Sequence, residues 1–324
     1  MTTSDRYARQ IILQDIGKDG QKALASARVL VVGAGGLGSF VLPILAGAGV
    51  GRIEVVDHDR VELSNLHRQP LFRMDDIGRP KAEAACANLA AYNPEISLVP
   101  HVERLVPGNA RALVSGMNLV VDAADSLAVT YMLSDACRDA KIPLVSASVL
   151  EQRGYVGAFC GKAPSYRAVF PDMPTVVGSC AENGVMGSSV GVLGSLQAHM
   201  ALQIIVGQEP SPLGRLVSID LRTMTFGGFR FQGAAMEEGP GMPFVGLDEV
   251  TPDDHVIELR DEAEAPVPVT PDAVRILPTE IAAADLPQTG RIVLCCRSGI
   301  RAMRAANVLA GRGFKKLAVL AAGD

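Results

Sequence analysis

The sequence of 324 residues has no surplus of positive charge, no apolar leader and no regular spacing of cysteines. Thirty Lys and Arg against 35 Asp and Glu give a net charge of −5, which argues against a nucleic-acid surface. The first 20 residues carry Asp5, Arg6, Arg9, Asp15, Lys18 and Asp19, so no apolar core for a signal peptide is present there. Six cysteines (Cys86, Cys137, Cys160, Cys180, Cys295 and Cys296) form no framework, and read as reduced thiols of a cytoplasmic enzyme. One stretch, 184–207, lacks formal charge, yet Ser188, Ser189, Ser195, Gln197, His199 and Gln203 interrupt it. It reads as a buried helix of a soluble protein, and no membrane is expected among the partners.

What the chain does have is enough apolar sequence, 48% hydrophobic residues, for one large α/β domain and a small one. The most informative stretch runs from Arg28 to Gln69. A β-branched run over 28–32 ends in Gly33, and Gly33, Gly35 and Gly38 give G-x-G-x-x-G spacing at the mouth of an apolar helix reaching about Ala48. A second strand, 53–56, closes on Asp57. Glycines let backbone approach a phosphate, the helix N-terminus offers unpaired N–H groups, and an acid about 20 residues on can hold ribose hydroxyls. Asp59, Asn65, Arg68 and Gln69 follow at once, adding metal-binding, amide and guanidinium groups. That equipment suits a triphosphate better than the single acid a dehydrogenase needs.

Lys81 falls in the first turn of the next helix, after Pro80, where the helix dipole disfavours a cation unless an anion sits beside it. Further strands are expected at 96–100, 118–121 and 143–147, with antiparallel additions at 154–159 and 166–170. Asp122 and Asp125 lie at the carboxyl end of the fourth strand, in the crevice where α/β sheets bind ligands, and Asp125 can also cap the following helix.

RYARQ (6–10), VGAGGLGS (32–39), DHDRVELSNLHRQ (57–69), GRPKAEAA (78–85), DAADS (122–126) and GSCAENGVMG (178–187) together resemble the HesA/MoeB/ThiF adenylyltransferases, relatives of the ubiquitin-activating enzymes. The resemblance covers about residues 5–230. It implies a Rossmann-like, mostly parallel sheet that binds ATP and Mg²⁺ through Gly33, Gly35, Gly36 and Gly38, with Arg68 and Lys81 on the phosphates. It further implies that Asp57 holds the ribose, that Asp59, Asn65 and Gln69 belong to the same site, and that Asp125 holds Mg²⁺. Arg9 would reach the nucleotide site of a partner subunit in a homodimer. Cys180, in the crossover loop, can link covalently to a protein substrate or be incidental. Relatives usually bind a structural zinc through two Cys-x-x-Cys pairs, but Ser165 and Ala168 stand where the first should fall and no second pair follows, so no zinc is expected.

Residues 231–247 are rich in glycine and read as a linker, with the preceding glycines from Gly227 onward part of the same run. From about Asp248 the pattern restarts. Cys296 directly follows a buried strand and opens a six-residue loop, Cys296-Arg297-Ser298-Gly299-Ile300-Arg301, before a helix. Backbone N–H groups and helix dipole in such a loop cradle an anion and favour a reactive sulfur. Together with IELRDEAE (257–264), the loop resembles a rhodanese domain; a phosphatase loop is usually one residue longer. The resemblance implies a persulfide on Cys296, while Cys295 is a strand residue pointing into the core. The domain, 248–324, is short.

These readings converge on ATP-dependent adenylation of the C-terminal glycine of a ubiquitin-like sulfur-carrier protein ending in Gly-Gly. Sulfur would then come from Cys296, charged by a persulfide donor such as a cysteine desulfurase. The rivals are adenylation of another carboxylate, on tRNA or a small molecule, beside a vestigial rhodanese domain; an NAD-dependent oxidoreductase; and a non-catalytic binding module.

Overall fold

The computed structural model describes residues 6–171, 184–235 and 241–323. Two short helices, α1 (Ala8–Ile11) and α2 (Gly17–Ser26), precede an eight-stranded sheet in the order β3-β2-β1-β4-β5-β6-β7-β8. Its parallel part comprises β1 (Arg28–Val32), β2 (Arg52–Val56), β3 (Ser97–His101), β4 (Leu119–Asp122) and β5 (Pro143–Leu150). Helices α3 (Gly38–Ala48), α4 (Lys81–Tyr92), α5 (Pro107–Val114) and α6 (Leu127–Ala140) make the crossovers. The chain runs outward from β1 to β3 and then returns to the other side of β1. That reversal opens a crevice at the carboxyl ends of β1 and β4. Both strands are covered on both faces, as their continuous apolar runs require.

The antiparallel part is β6 (Arg153–Cys160), β7 (Arg215–Asp220) and β8 (Thr225–Arg230). The strand expected over 166–170 is instead a helical turn, α7 (Tyr166–Val169). Ser165 caps it, its Oγ accepting from Ala168 N at 3.0 Å, and this local bond favours a helical start over an extended chain. Residues 227–230, read as linker from their glycines, belong to β8; its residues are all exposed, which leaves no alternating pattern to read. Gly228 stands there at φ +141°, where an added Cβ would lie 2.2 Å from Leu216 O.

Helix α8 (Gly187–Val206) is long and apolar enough by composition to cross a membrane, but it packs as a core helix. Val190, Leu193, Ala198 and Ala201 are buried against the sheet. The buried Gln197 amide donates to Asp122 O (2.6 Å) and Val145 O (3.1 Å).

A second sheet, in the order β10-β9-β11-β12, is wholly parallel: β9 (Asp254–Glu258), β10 (Val274–Arg275), β11 (Arg291–Cys296) and β12 (Leu317–Ala321), with α9 (Ile300–Gly311) on one face. Strand alternation puts Cys295 and Cys296 on opposite faces. Cys295 packs with Val256, Val293, Ala318 and Leu320, whereas Cys296 packs toward Ala302, Met303 and Ala306 of α9. The end of the expected linker is also ordered: Val319 N donates to Pro243 O, and Val245 N to Val319 O, so 243–245 line the edge of this sheet beside β12. Arg167, paired with Asp135 at 2.8 Å, donates to Met242 O and ties that segment to the larger sheet.

Candidate functional site

The glycines at the end of β1 divide into two roles. Gly33 has φ +97° and a Cβ there would stand 2.6 Å from Ala123 O, while a Cβ on Gly38 would stand 2.1 Å from Gly33 O. These two close the strand–turn–helix. Gly36 packs on Val190, and Gly35 faces open space, its nearest neighbour being Gln69 Nε2 at 3.8 Å from a built Cβ. Among the described residues, the backbone N–H groups of Gly35, Gly36 and Leu37 donate to no protein acceptor. They form the kind of concave donor set that receives phosphate oxygens.

Asp57 is buried beside this turn, accepting from Ala34 N and from Asp59 N, each at 2.8 Å. Burial raises its pKa, against the pull of the Ala34 N–H and the Lys81 charge. Lys81, 6% exposed, opens α4, and the anion beside it in the protein itself is Asp59 at 2.9 Å. Burial works to raise the Asp59 pKa, but the hydrogen bond and charge of Lys81 bring it below the ordinary value. Asn65 is buried in a 3₁₀ turn and accepts from Glu62 N, and half-buried Arg68 donates to Ser64 O and approaches His67 Nε2. Gln69 is buried next to Gly35 with Oε1 lacking any partner. A buried unpaired amide oxygen is costly, and a bound ligand is the natural partner for it.

Asp122 and Asp125, two residues of one motif, have opposite fates. Asp122 is fully buried and accepts from Thr130 Oγ1 (2.7 Å) and Ser146 Oγ (2.8 Å); burial pushes its pKa up to about 6. It holds β4, β5 and α6 together. Asp125 is exposed and lines the crevice, and Ser126, not Asp125, is the N-cap residue of α6. Its carboxylate is therefore available to a hard cation. Sequence reading counted the Asp57-x-Asp59 pair among metal-binding groups but gave no such role to His58; the ligand atoms of Asp57, His58 and Asp59 lie within 4.8 Å of one another. Mg²⁺ prefers such oxygen donors, so the residues present fit a Mg·ATP complex.

Arg9 is exposed on α1 and is not among the residues lining this crevice in its own chain. Cys180 lies outside the described residues. At the positions where relatives hold zinc, Ser165 Oγ is engaged as a cap and Ala168 offers a methyl group, so those residues do not fit a thiolate metal site.

The crevice continues to the second sheet. One cavity of about 1540 Å³ is lined at one end by Gly33, Gly35, Asp57, Arg68 and Lys81, and at the other by Arg297, Ser298 and Arg301. Cys296 lies under that second end, fully buried, its Sγ accepting from Ala302 N at 3.4 Å. Arg301 is hydrogen-bonded to Cys296 and forms a two-pronged ion pair with Glu264, a residue inside IELRDEAE for which sequence reading named no role. Gly299 has φ +79°, and its Cβ position lies 3.4 Å from Ala128 Cβ of α6 and 3.0 Å from Phe244. Arg104 lines the same cavity, its guanidinium against Gly323.

The model of the ThiF family matches residues 7–239. Along nearly its whole length the chain is similar to the probable adenylyltransferase/sulfurtransferase MoeZ of Mycobacterium tuberculosis, with 33% identity covering 95% of this chain and 88% of that protein. The SAMP-activating enzyme E1 of Haloferax volcanii is 41% identical over 227 residues, covering 69% of this chain and 84% of that one. Adenylyltransferase and sulfurtransferase MOCS3 of Culex quinquefasciatus is 42% identical, and the match spans about half (53%) of its length. Among solved structures, E. coli MccB shares the fold with a TM-score of 0.64 at 23% identity, covering 72% of this chain and 73% of that one. The glycine turn with Arg68 and Lys81 beside it, and the loop that follows Cys296, thus occur in a chain that belongs to the ThiF family.

Proposed function

We propose that the protein adenylates the C-terminal glycine carboxylate of a ubiquitin-like sulfur-carrier protein and converts it to a thiocarboxylate. The observation that carries this reading is the single cavity joining the glycine turn, Arg68 and Lys81 to the loop of Cys296. A carboxylate is a poor electrophile. Its attack on the α-phosphate of ATP makes an acyl-adenylate, with pyrophosphate leaving, and so turns the oxygen into part of a good leaving group. Mg²⁺, held on Asp125 with the nucleotide, supplies Lewis-acid charge neutralisation. Arg68, Lys81 and Arg9 of a second copy stabilise the charge developing on the phosphates, the N–H groups of Gly35 and Gly36 receive phosphate oxygens, and Asp57 holds the ribose. Gln69 and Asn65 orient the phosphates. The sulfur of a Cys296 persulfide then attacks the acyl carbon and AMP departs. A thiol, Cys180 or a small one, next attacks Cys296 Sγ, which releases the thiocarboxylate and leaves a disulfide for an external thiol to reduce.

The relatives named for sulfur transfer and for activating SAMP support this reading. Cys86, Cys137, Cys295 and Cys296 are free thiols, which supports a reducing, cytoplasmic setting, and exposed Arg9 suits a role across a homodimer. A second reading, adenylation of another carboxylate beside an idle sulfur unit, is favoured by the complete burial of Cys296. ATP–pyrophosphate exchange with candidate Gly-Gly-tailed carriers separates the two. Exchange that depends on the carrier and is abolished by Arg68→Ala supports the first; Mg·ATP binding without exchange on any carrier turns the assignment to another carboxylate.

A further inference from the structure

Two tyrosines on the cavity wall hold a proton that no described residue accepts. Tyr155 of β6 and Tyr166 of α7 place their hydroxyls 2.6 Å apart, and both side chains line the cavity. Each hydroxyl brings one proton, and the bond between them uses only one. Tyr131, beside them, already donates to Phe170 O at 2.7 Å. Tyr166 is 3% exposed and enclosed by the rings of Tyr131, Phe159 and Phe170, whose centroids lie 5.3, 5.2 and 4.8 Å from its own, whereas Tyr155 is half-buried. Burial, and after it the charge of Asp122, pushes the Tyr155 pKa up to about 12, and burial raises that of Tyr166 as well, so both act as donors and not as bases. Ser148 of β5 stands opposite Tyr155, and Ser146, two residues earlier on the same face, donates to Asp122. The pair therefore sits one step outward from Asp122, which opens the motif ending at Asp125. Ser148 and Phe170 also line the cavity there, whereas Arg167, the cation of α7, is held by Asp135 and is not among the lining residues. Neutral donors without a cation suit a carbonyl oxygen better than a phosphate.

We propose that Tyr155, oriented by a hydrogen bond from Tyr166, donates its proton to the acyl oxygen of the carrier's terminal glycine. This rests on the adenylation reading above and adds the group that holds the reacting carbonyl. The acyl carbon has to stand between the nucleotide and the Cys296 loop, and the tyrosine pair opens into the cavity that joins them. When sulfur attacks that carbon, the acyl oxygen takes up negative charge and the bond from Tyr155 strengthens; the carbonyl then re-forms as AMP departs. The proton stays on Tyr155 throughout. Tyr166 touches no substrate and is a positioning residue: its donated bond fixes the direction of the Tyr155 proton and polarises it.

The test uses the full chain and two probes, adenosine sulfamate and the same molecule acylated with glycylglycine, a stable mimic of the acyl-adenylate. Calorimetry reads binding, and infrared difference spectroscopy reads the isotope-labelled terminal carbonyl. Native protein binds the acylated probe more tightly. Tyr155→Phe weakens that probe roughly threefold to tenfold, moves its carbonyl stretch to higher frequency and leaves adenosine sulfamate binding unchanged. Tyr166→Phe gives smaller changes of the same kind. Undiminished binding of the acylated probe to Tyr155→Phe overturns the inference, as does equal weakening of both probes. Weaker binding without a shift of the terminal carbonyl overturns the assignment to that oxygen, and a larger effect of Tyr166→Phe overturns the roles given to the two tyrosines. If native protein binds neither probe, the adenylation reading itself fails; if it binds the two equally, this inference alone does.

Discussion

Replacing Gln69 with methionine separates what the site needs from what the fold needs. Gln69 is 3% exposed, lies beside Gly35 and carries a buried Oε1 without a partner. Leaving a polar group buried and unpaired costs about 1–3 kcal/mol, and methionine fills nearly the same volume without one. The nucleotide-free protein should therefore gain about 1 kcal/mol, or about 2–4 °C in melting temperature for a domain of this size. If the same amide orients a phosphate, its loss weakens binding by about 1–2 kcal/mol, a factor of roughly 5–30. At a nucleotide concentration 100 times the native dissociation constant, ligand stabilisation is about 2.7 kcal/mol; a tenfold weaker variant retains about 1.4 kcal/mol. Melting curves with and without Mg·ATP analogue read both quantities in one experiment. An unchanged or lowered melting temperature without nucleotide, or an undiminished shift with it, refutes the reasoning.

The two glycines should respond oppositely to alanine. Gly38→Ala drives a Cβ to 2.1 Å from the backbone oxygen of Gly33, so it should cost about 3 kcal/mol or more in denaturant unfolding and abolish nucleotide binding. Gly35→Ala meets open space and should leave stability within about 0.5 kcal/mol while weakening nucleotide binding, as calorimetry would show. Asp122 has a folded pKa of about 6 against an ordinary 3.8, so the folded state binds more protons between those values. Its contribution to stability is present below about pH 4 and lost as pH rises to about 6, on the order of 3 kcal/mol. Asp122→Asn should remove that component, so urea unfolding of native protein minus variant should decline across this window; parallel curves would contradict it.

Local motifs were legible because they act through backbone conformation. Gly38 is required by its contact with Gly33 O within the turn and Gly33 by its own φ of +97°, although the Cβ it lacks would also meet remote Ala123, and the spacing to Asp57 follows from one strand–helix–strand unit. The loop at Cys296 and the strand before it are likewise set by neighbours in sequence, and the expected elements there agree with β11 and α9. The misses come where local signals were weak or overruled. Residues 166–170 alternate enough to suggest a strand, but the Ser165 cap and the Arg167–Asp135 pair make them a buried helical turn. Strand β8 has no inward face to show in its sequence.

What the sequence determined by itself is the set of groups on offer: a glycine-rich strand–turn–helix, two cations, several acids and a cysteine–arginine loop before a helix. Tertiary structure decided how those groups are used. Asp122 and Asp125 differ because Thr130, Ser146 and Gln197 converge on the first and leave the second facing the crevice. Lys81 meets Asp59 across 22 residues, Gln69 is left with an unpaired oxygen, and two units separated by a glycine-rich segment line one cavity. Each of these depends on burial and on distances between remote segments, and residue spacing along the chain carries neither.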